Sequence, residues 1–390
     1  METVFIASLA LVIFAFVGYP IQITLLAGWK RKGGSYPKLD AEDLPEVTLL
    51  VAAYNEAEIL PEKIQNSLDL NYPKEKLKIL FVTDGSTDES MELLAKSGGV
   101  SFSHSPARKG KIAAINRIMP EISTAITVFT DANVMLNADA LWSMVNHFQS
   151  NLVAAVSGEK VVLSPETDAA SGTGEGAYWK YESYLKKKDA EWNTLVGSAG
   201  ELVAIRTRLF SPTKEDTVIE DFVMTVGYAL DGYQVAYEPL AVATEHASAN
   251  VEEEEKRKIR ISAGGIQAIS RLPKALNPFH DPALTFQYIS HRVLRWTLVP
   301  LALILLLVLN PFLIDSGSFF VLTFVGQAVF YGLTVLGYLF RNTATKWKLI
   351  YIPFYFTFMQ VCVIRGWWRF FKGSQAVTWE KAKRAAVQTA

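Results

Sequence analysis

The sequence has very little cysteine and almost no net charge. Its 390 residues include one cysteine, Cys362, and carry a formal net charge of -1. A single cysteine excludes an internal disulfide and a thiolate zinc cluster, and it fits a reducing compartment without proving one. Without a basic excess the chain as a whole has no means of holding a nucleic-acid backbone, so no nucleic-acid partner is expected and any phosphate recognition must be local.

Long apolar runs are missing from the middle of the chain and are concentrated at its two ends. Val4 to Ala27 is nearly uncharged and long enough to cross a bilayer, which takes about 20 helical residues. A signal peptide would carry positive charges before its apolar run. Here Lys30, Arg31 and Lys32 follow the run and the one charged side chain before it is that of Glu2, so an uncleaved anchor is favoured over a signal peptide. The positive-inside rule then places the following residues in the cytoplasm.

Three more apolar tracts lie near the C-terminus, at Leu298 to Ile314, Phe319 to Phe340 and Leu349 to Ile364. If all three crossed the membrane, the tail rich in lysine and arginine would lie outside, against the positive-inside rule. Either the bias fails here or one tract is interfacial or re-entrant. We predict that it is Leu349 to Ile364, which is short and contains Pro353.

The sequence therefore predicts a multi-pass cell-membrane protein with one cytoplasmic domain. The predicted segments are an N-terminal anchor, an α/β domain, an interfacial segment, C-terminal membrane helices and a basic tail, at residues 1–30, 38–272, 273–297, 298–371 and 372–390. The interfacial segment contains "RVLRW", Arg292 to Trp296, which we interpret as a basic and aromatic anchor in contact with membrane lipid.

Short apolar runs alternate with helical patterns in the predicted cytoplasmic domain. The predicted strands are "VTLLVAA", "LKILFVTD", "AITVFTD" and "LVAAVSG". This alternation predicts an α/β fold with a mostly parallel, Rossmann-like sheet, whose ligands gather at the carboxyl ends of the strands. "YNE", "DGSTD" and "DAN" each follow such a strand. "GTGEG", Gly172 to Gly176, lacks the spacing of a dinucleotide fingerprint and is predicted to be a flexible loop.

Asp131 and Asn133 of "DAN" are the candidate metal ligands. A carboxylate and an amide two residues apart can direct their oxygens at one hard cation, and Mg²⁺ or Mn²⁺ prefers such ligands alongside substrate phosphates. The alternative is a helix cap or an Asx turn, because Asp and Asn are common where helices begin.

Other polar residues indicate nucleoside and phosphate binding. Asp84 of "DGSTD" is available to accept hydrogen bonds from a nucleobase or ribose, unless it merely turns the chain. Lys109 and Lys111 flank a glycine just before a helix, where backbone amides and cations can meet phosphate. Arg257 and Arg260 are three apart on a predicted helix, so they can share one face and bind a diphosphate, unless they are simply solvated.

Glu220 and Asp221 stand at the predicted start of a helix. Adjacent acids there stabilise the helix dipole. The alternative is that one of them is a general base facing the same crevice. Successive residues on a helix diverge by about 100°, so we expect only one of the two to face it.

Taken in order, these motifs resemble the membrane-integrated family 2 glycosyltransferases, which have the GT-A fold and include relatives of cellulose, hyaluronan and poly-N-acetylglucosamine synthases. The resemblance runs from about Val47 to Gly265, through "AAYNE", "DGSTD", "RKGKIAAIN", "DAN", "VGSAGELVAIR" and "VIEDF". It implies that a sugar moves, with inversion, from a nucleotide-sugar donor such as a UDP-sugar to a glycan or lipid-linked acceptor. The resemblance implies Mg²⁺ or Mn²⁺ as the cofactor. It is also compatible with partner proteins that export a polysaccharide.

The resemblance also assigns roles to residues. The implied donor-binding residues are Ala53, Tyr54, Asn55, Glu56, Asp84, Lys109, Lys111, Asp131, Arg257 and Arg260. Asp221 takes the position of the general base, with Glu220 beside it. Gly197 and Ser198 fall on the acceptor side, and Asp131 with Asn133 forms the metal motif.

One departure from the family pattern argues against long-chain processive synthesis. Such synthases have Gln, two residues, Arg and Trp, whereas "RKIRI" places Arg257 at the Gln position and Ile261 at the Trp position. An aromatic platform for the acceptor sugar is therefore expected to be missing there. Two other classes stay open, a membrane-anchored nucleotide-binding scaffold and a nucleotidyltransferase. The sequence specifies neither the sugar, the acceptor nor the oligomeric state.

Overall fold

The computed structural model describes residues 1–30, 36–163, 169–341 and 347–373. Arg31, Lys32 and residues 374–390 of the predicted basic tail lie outside the described residues. The α-helices are α1 Glu2–Ile13, α2 Tyr19–Trp29, α3 Leu60–Leu68, α4 Ser90–Lys96, α5 Lys111–Ile118, α6 Ala140–Val145, α7 Ala169–Trp192, α8 Glu220–Leu230, α9 Val251–Arg271, α10 Pro282–Tyr288, α11 Leu294–Trp296, α12 Leu298–Leu309, α13 Ser318–Leu339 and α14 Lys348–Phe371. The strands are β1 Val47–Ala53, β2 Leu77–Asp84, β3 Ser101–Ser105, β4 Ile126–Asp131, β5 Met135–Leu136, β6 Val153–Leu163, β7 Leu202–Arg206 and β8 Gln234–His246.

The strands form one mixed sheet in the order β3-β2-β1-β4-β7-β6-β8-β5. β3, β2, β1 and β4 are parallel neighbours, whereas β7 runs antiparallel to both β4 and β6. The predicted α/β fold is confirmed, and the apolar runs correctly located β1, β2, β4 and the start of β6. β7 was not predicted because its apolar run is only four residues long and follows a glycine-rich segment.

Helices cover both faces of the sheet, and β1 shows how its sequence serves both. Leu49 and Val51 belong to the core that includes α3 and α6, while Leu50 and Ala52 belong to the core that includes α5. Every residue of β1 is buried. Burial on both faces explains the continuous apolar run, and each large side chain contributes about 1.5–3 kcal/mol of hydrophobic stabilisation. The polar residues that follow β1 are thereby held at one edge.

Four helical stretches among the described residues are long and apolar enough to cross a membrane: Glu2–Trp29, Leu298–Ser316, Ser318–Leu339 and Lys348–Phe371. The first stays helical through a π-helical turn, Phe14–Gly18, just before Pro20. Proline lacks an N–H donor, so a local change of hydrogen-bond register next to it is a common solution.

α14 differs from the other candidate spans because it packs along a helix of the α/β domain. The tract predicted from Leu349 to Ile364 forms part of a 24-residue helix, so its expected shortness is wrong. Phe354 packs in one cluster with Val251 of α9, and Arg365 forms an ion pair with Glu255 of the same helix. α14 thus lies at the boundary between the domain and the apolar helices. That it is interfacial or re-entrant and does not cross the membrane stays a prediction.

The loop predicted at "GTGEG" is wrong. Gly172 to Gly176 lie within α7, a helix of 24 residues. A glycine costs only about 1 kcal/mol relative to alanine in a helix interior. Later turns of α7 are held by tertiary packing, where Leu185 is fully buried against Tyr19 and Ile23 of α2. The packing of one part of the helix therefore outweighs the local preference of another.

The predicted surface anchor at "RVLRW" is also wrong. Arg292 and Arg295 each donate a hydrogen bond of 2.8 Å to the buried Glu182 of α7, and Arg295 also donates to the carbonyl of Ala15. Burial raises the pKa of Glu182, but Arg292, His291 and Arg295 hold it well below its usual range. A buried carboxylate requires such partners, so these arginines turn inward instead of towards membrane lipid.

Candidate active site

A cavity of about 710 Å³ lies at the carboxyl ends of β1 and β4 and continues to α14. Its volume is in the usual range for small-molecule sites. The predicted site residues on its wall are Tyr54, Glu56, Lys111, Asp131, Asn133, Ser198, Glu220, Asp221, Arg257 and Arg260. The other predicted residues are in the segments that support this wall, and they are Ala53, Asn55, Asp84, Lys109 and Gly197.

Lys111 connects the "DAN" motif to the start of α8. Its Nζ lies 2.8 Å from Oδ1 of Asp131 and 3.1 Å from Oε1 of Glu220. Burial lowers the pKa of Lys111, but the two carboxylates outweigh this effect and the pKa is raised. Burial raises the pKa of Asp131, although Lys111 opposes the shift. A donor phosphate that reaches Lys111 would have to share or displace these contacts.

Asp131 and Asn133 both face the cavity, which tests their fit to a divalent cation. In the described ranges, no group of three or more His, Cys, Asp or Glu side chains is placed to hold a metal. One carboxylate and one amide fit Mg²⁺ or Mn²⁺ that takes its other ligands from water and a donor diphosphate. They do not fit a metal centre built from protein ligands alone.

Asp221 lies in the first turn of α8 with its carboxylate at the cavity. Burial and the neighbouring Glu220 raise the pKa of Asp221 to about 7, although Lys111 opposes the shift. A carboxylate with this pKa takes up a proton readily near neutral pH, as a general base must. The expectation that only one of the two acids faces the crevice is wrong, because the longer Glu220 side chain reaches Lys111 on the same wall.

The turn at Gly197 and Ser198 supports Asp221. The Ser198 hydroxyl donates a hydrogen bond of 3.1 Å to the backbone carbonyl of Asp221, and the Thr225 hydroxyl donates to the same carbonyl at 2.7 Å. Gly197 has φ of +82°, and a Cβ at this position would lie 2.0 Å from the Phe222 ring. Only glycine combines this backbone conformation with this close approach. Gly197 thus helps to position α8, and the acceptor-side role of Gly197 and Ser198 stays a prediction.

Gly197→Ala is expected to destabilise the protein by about 2–5 kcal/mol, from about 1–2 kcal/mol of left-handed strain and about 1–3 kcal/mol of overlap with Phe222. Gly232 is the matched control because its φ is +84° but an added Cβ would meet nothing within 4 Å. Gly232→Ala should cost only the strain. Thermal unfolding of the three proteins in detergent measures the difference, and equal melting temperatures for the two variants would contradict the packing role of Gly197.

Asp84 anchors the basic loop. Its Oδ2 accepts backbone N–H hydrogen bonds from Lys109 and Gly110 at 2.8 and 2.5 Å. This oxygen of Asp84 is therefore already engaged, and the expectation that the whole carboxylate is available is wrong. Lys109 contributes its backbone N–H to this contact, and Lys109 is an exposed residue. Asp84 lines a small recess that shares Tyr54 and Lys111 with the main cavity. Nucleoside binding by Asp84 stays a prediction.

Two other predicted donor-binding residues, Ala53 and Asn55, lie at the end of β1 and in the loop that follows it. Asn55 adopts φ of 52°, and its Oδ1 accepts a hydrogen bond of 2.8 Å from the N–H of Thr87. Ala53 is buried at the end of β1. The Arg108 guanidinium lies 4.0 Å from the centre of the Tyr54 ring. The first contact joins the loops after β1 and β2, and the second joins the loops after β1 and β3.

Arg257 and Arg260 of α9 line the same cavity, as their spacing predicted. Arg257 is not solvated, because it pairs with Glu254 at 3.1 Å and with Glu245 at 3.4 Å. Arg260 makes no ion pair with any residue that the structure describes, and burial lowers its pKa although Glu220 opposes this. A guanidinium held in this way is placed to meet an anionic group of a ligand.

Among the cavity residues that were not predicted are Glu201, Lys186 and Trp296. Glu201 lies inside the quoted "VGSAGELVAIR" and forms an ion pair with Lys160. Trp296 belongs to "RVLRW", and its ring packs over Gly265, one turn beyond Ile261. An aromatic surface is therefore supplied to the cavity by α11, although α9 lacks the tryptophan that the family pattern has.

Residues 48–210 match the sequence model of a protein family that is described as glycosyl transferase family 2. The chain carries a family 2 glycosyltransferase domain. Poly-beta-1,6-N-acetyl-D-glucosamine synthase of Staphylococcus aureus is 26% identical over 250 residues, which are 60% of this chain and 58% of that protein. Beta-monoglucosyldiacylglycerol synthase of Nostoc is 25% identical over 213 residues, 51% of this chain and 44% of that protein. The match thus spans less than two thirds of either relative.

A solved structure supports the fold of the family 2 domain and of its flanking helices. The mannosyltransferase from Pyrobaculum calidifontis, in complex with GDP-Man and Mn²⁺, aligns at a TM-score of 0.74 and 20% identity, covering 95% of this chain and 98% of that one. The predicted GT-A fold is confirmed. The family model ends before α8 and α9, so the roles of Asp221, Arg257 and Arg260 depend on geometry.

Proposed function

We propose that the protein is an inverting glycosyltransferase that moves a sugar from a nucleotide-sugar donor to a glycan or lipid-linked acceptor at a membrane. The observation that carries this proposal is one cavity in which Asp131, Arg260 and Asp221 lie together. Arg260 suits a leaving diphosphate, Asp131 suits a divalent cation beside that diphosphate, and Asp221 suits the proton of an acceptor hydroxyl. The names of the Staphylococcus and Nostoc relatives, a polysaccharide synthase and a glycolipid synthase, support the same class of reaction.

In this reaction the bond between the anomeric carbon and the donor diphosphate breaks, and the acceptor oxygen bonds to that carbon from the opposite face. Arg260 and Arg257 neutralise the negative charge that grows on the diphosphate. Asp221 accepts the proton of the acceptor hydroxyl. One displacement inverts the carbon, so an α-linked donor gives a β-linkage. A divalent cation held by Asp131 and Asn133 would add positive charge beside the diphosphate when bound.

Donor consumption tests the proposal directly. The purified full chain is incubated with a panel of UDP- and GDP-sugars and Mg²⁺ or Mn²⁺, and nucleoside diphosphate release is measured with and without extracted membrane lipid. We propose UDP as the nucleotide, and GDP-sugars are included because the Pyrobaculum enzyme was solved with GDP-Man. Release of nucleoside diphosphate from one donor supports glycosyl transfer. Formation of a nucleotide sugar from a sugar phosphate and a nucleoside triphosphate would favour a nucleotidyltransferase instead.

We also propose a cytoplasmic orientation for the family 2 domain, with α14 at the membrane surface. Three crossings, by Glu2–Trp29, Leu298–Ser316 and Ser318–Leu339, would leave the basic end of the chain on the cytoplasmic side. The packing of α14 along α9 supports this count. Aromatic side chains at the end of α14, including Trp368 with 65% exposure, suit the membrane interface.

Thiol labelling of intact cells tests the orientation. Single cysteines replace Glu215, Asp315 or Lys372 in a Cys362→Ala background, and a membrane-impermeant maleimide is applied. Only the Asp315→Cys protein, altered between α12 and α13, is expected to react before lysis. Labelling of Glu215→Cys would reverse the orientation, and labelling of Lys372→Cys would mean that α14 crosses the membrane.

A further inference from the structure

The active-site cavity extends beyond the residues that the proposed chemistry uses. Its far wall contains apolar side chains from α14 and from the π-helical turn of the N-terminal helix, including Ile352, Phe356, Met359 and Phe16, together with Gln360 and Arg369 of α14. Phe16 and Phe356 form an edge-to-face contact with ring centres 5.0 Å apart. Both elements belong to stretches apolar enough to enter a membrane. One continuous cavity therefore joins Asp221 to an apolar compartment.

A lysine stands on the wall between these two ends. Lys186 of α7 is only 4% exposed, and it makes no hydrogen bond or ion pair within the part of the chain that the structure describes. The Trp179 ring lies 5.4 Å from its Nζ. A buried ammonium without a carboxylate partner is costly, so such groups are normally paired.

The acids near Lys186 are engaged elsewhere. Glu182, one turn earlier on α7, binds Arg292 and Arg295, while Glu201 binds Lys160. Glu159 accepts hydrogen bonds from the hydroxyls of Ser183 and Tyr237. Burial lowers the pKa of Lys186 and Arg292 lowers it further, with Glu201 and Glu182 opposing. An anion at this point would pair directly with a cation that has no ion pair among the described residues.

We propose that Lys186 binds the phosphate group of an amphiphilic acceptor whose alkyl chain lies against α14 and the N-terminal helix. This proposal depends on the proposed function and narrows its acceptor to a phosphate-bearing lipid. The phosphate sits beside Lys186 and the apolar chain occupies the compartment at Phe16 and Phe356. The polar end of the same molecule extends along the cavity to Asp221.

Binding of a labelled amphiphile tests the proposal without donor or turnover. The purified full chain in a neutral glycoside detergent is titrated with radiolabelled dodecyl phosphate. We expect saturable binding that Lys186→Met weakens at least about 10-fold, because a hydrogen bond to a charged group contributes about 1.5–3 kcal/mol. Lys187→Met is the matched control, since Lys187 is the exposed neighbour on the same helix. It should bind like the parent.

Thermal unfolding adds a signature that a structural lysine would not give. Replacing an unpaired buried ammonium with methionine should leave the melting temperature equal to or above that of the parent. Three results would overturn the proposal: no saturable binding by the parent, parent-like binding by Lys186→Met, or complete displacement of dodecyl phosphate by equimolar inorganic phosphate. The last result would indicate a site for free phosphate. Because no donor is present, these outcomes are independent of nucleoside diphosphate release.

Discussion

Asp221→Asn is expected to lower sugar transfer by about 10² to 10⁴ while donor affinity stays near that of the parent. Asparagine keeps the size of the side chain and much of its hydrogen bonding, but it cannot take a proton from the acceptor hydroxyl. Asp221 faces the cavity and its pKa is raised to about 7 by burial and by Glu220. Steady-state transfer and equilibrium donor binding, measured separately, give the two quantities.

Glu220→Gln is the control, because it removes the adjacent acid of the same helix turn. Glu220 contacts Lys111, so this change should act through positioning and cost less than Asp221→Asn. If the two acids only stabilised the helix dipole, either change would cost about 0.3–1 kcal/mol of stability and leave activity ordinary. A folded Asp221→Asn protein that binds donor and transfers sugar at the parent rate would remove Asp221 from the mechanism.

The pH dependence follows from the same carboxylate. A base works when deprotonated, so transfer by the parent should rise as the pH increases through about 7, and Asp221→Asn should lack this rise. Since the pKa is raised on folding, the folded protein binds more protons than the unfolded chain between about pH 4 and 7. The free energy of unfolding of the parent therefore falls across this range relative to that of Asp221→Asn.

Asp131→Ala is expected to abolish detectable turnover. Asp131 is the carboxylate of the proposed cation site and also the partner of Lys111 at 2.8 Å, so its loss removes an oxygen ligand and leaves a buried ammonium with one partner fewer. Chelation of divalent ions should stop the parent enzyme, and Mg²⁺ or Mn²⁺ should restore it. Nucleoside diphosphate release over a series of metal concentrations is the measurement.

Asp84→Ala separates donor binding from the cation site. Asp84 accepts two backbone hydrogen bonds from the basic loop, so its loss should chiefly weaken donor binding and leave metal dependence unchanged.

Transfer that continues at the parent rate in the presence of chelator would show that Asp131 and Asn133 do not act through a cation. In that case the effect of Asp131→Ala would be assigned to its contact with Lys111.

Local patterns were sufficient for the strand-end motifs. "VTLLVAA", "LKILFVTD" and "AITVFTD" are mostly apolar because most of their side chains are buried, and each leads to a polar motif that the fold carries to one edge. The three-residue spacing of Arg257 and Arg260 likewise placed both on one face of α9. Such features depend on neighbours in the chain, so periodicity reveals them.

By itself the sequence determined the α/β domain, its apolar flanks and the order of its site motifs. Only the tertiary structure decided which way Arg292 and Arg295 point, because their partner Glu182 lies more than 100 residues earlier. The same holds for the antiparallel strand β7 and for the packing of α14 on α9. Whether a buried charge finds a partner depends on residues far apart in sequence, and no local pattern indicates that Lys186 has no ion pair within the described ranges.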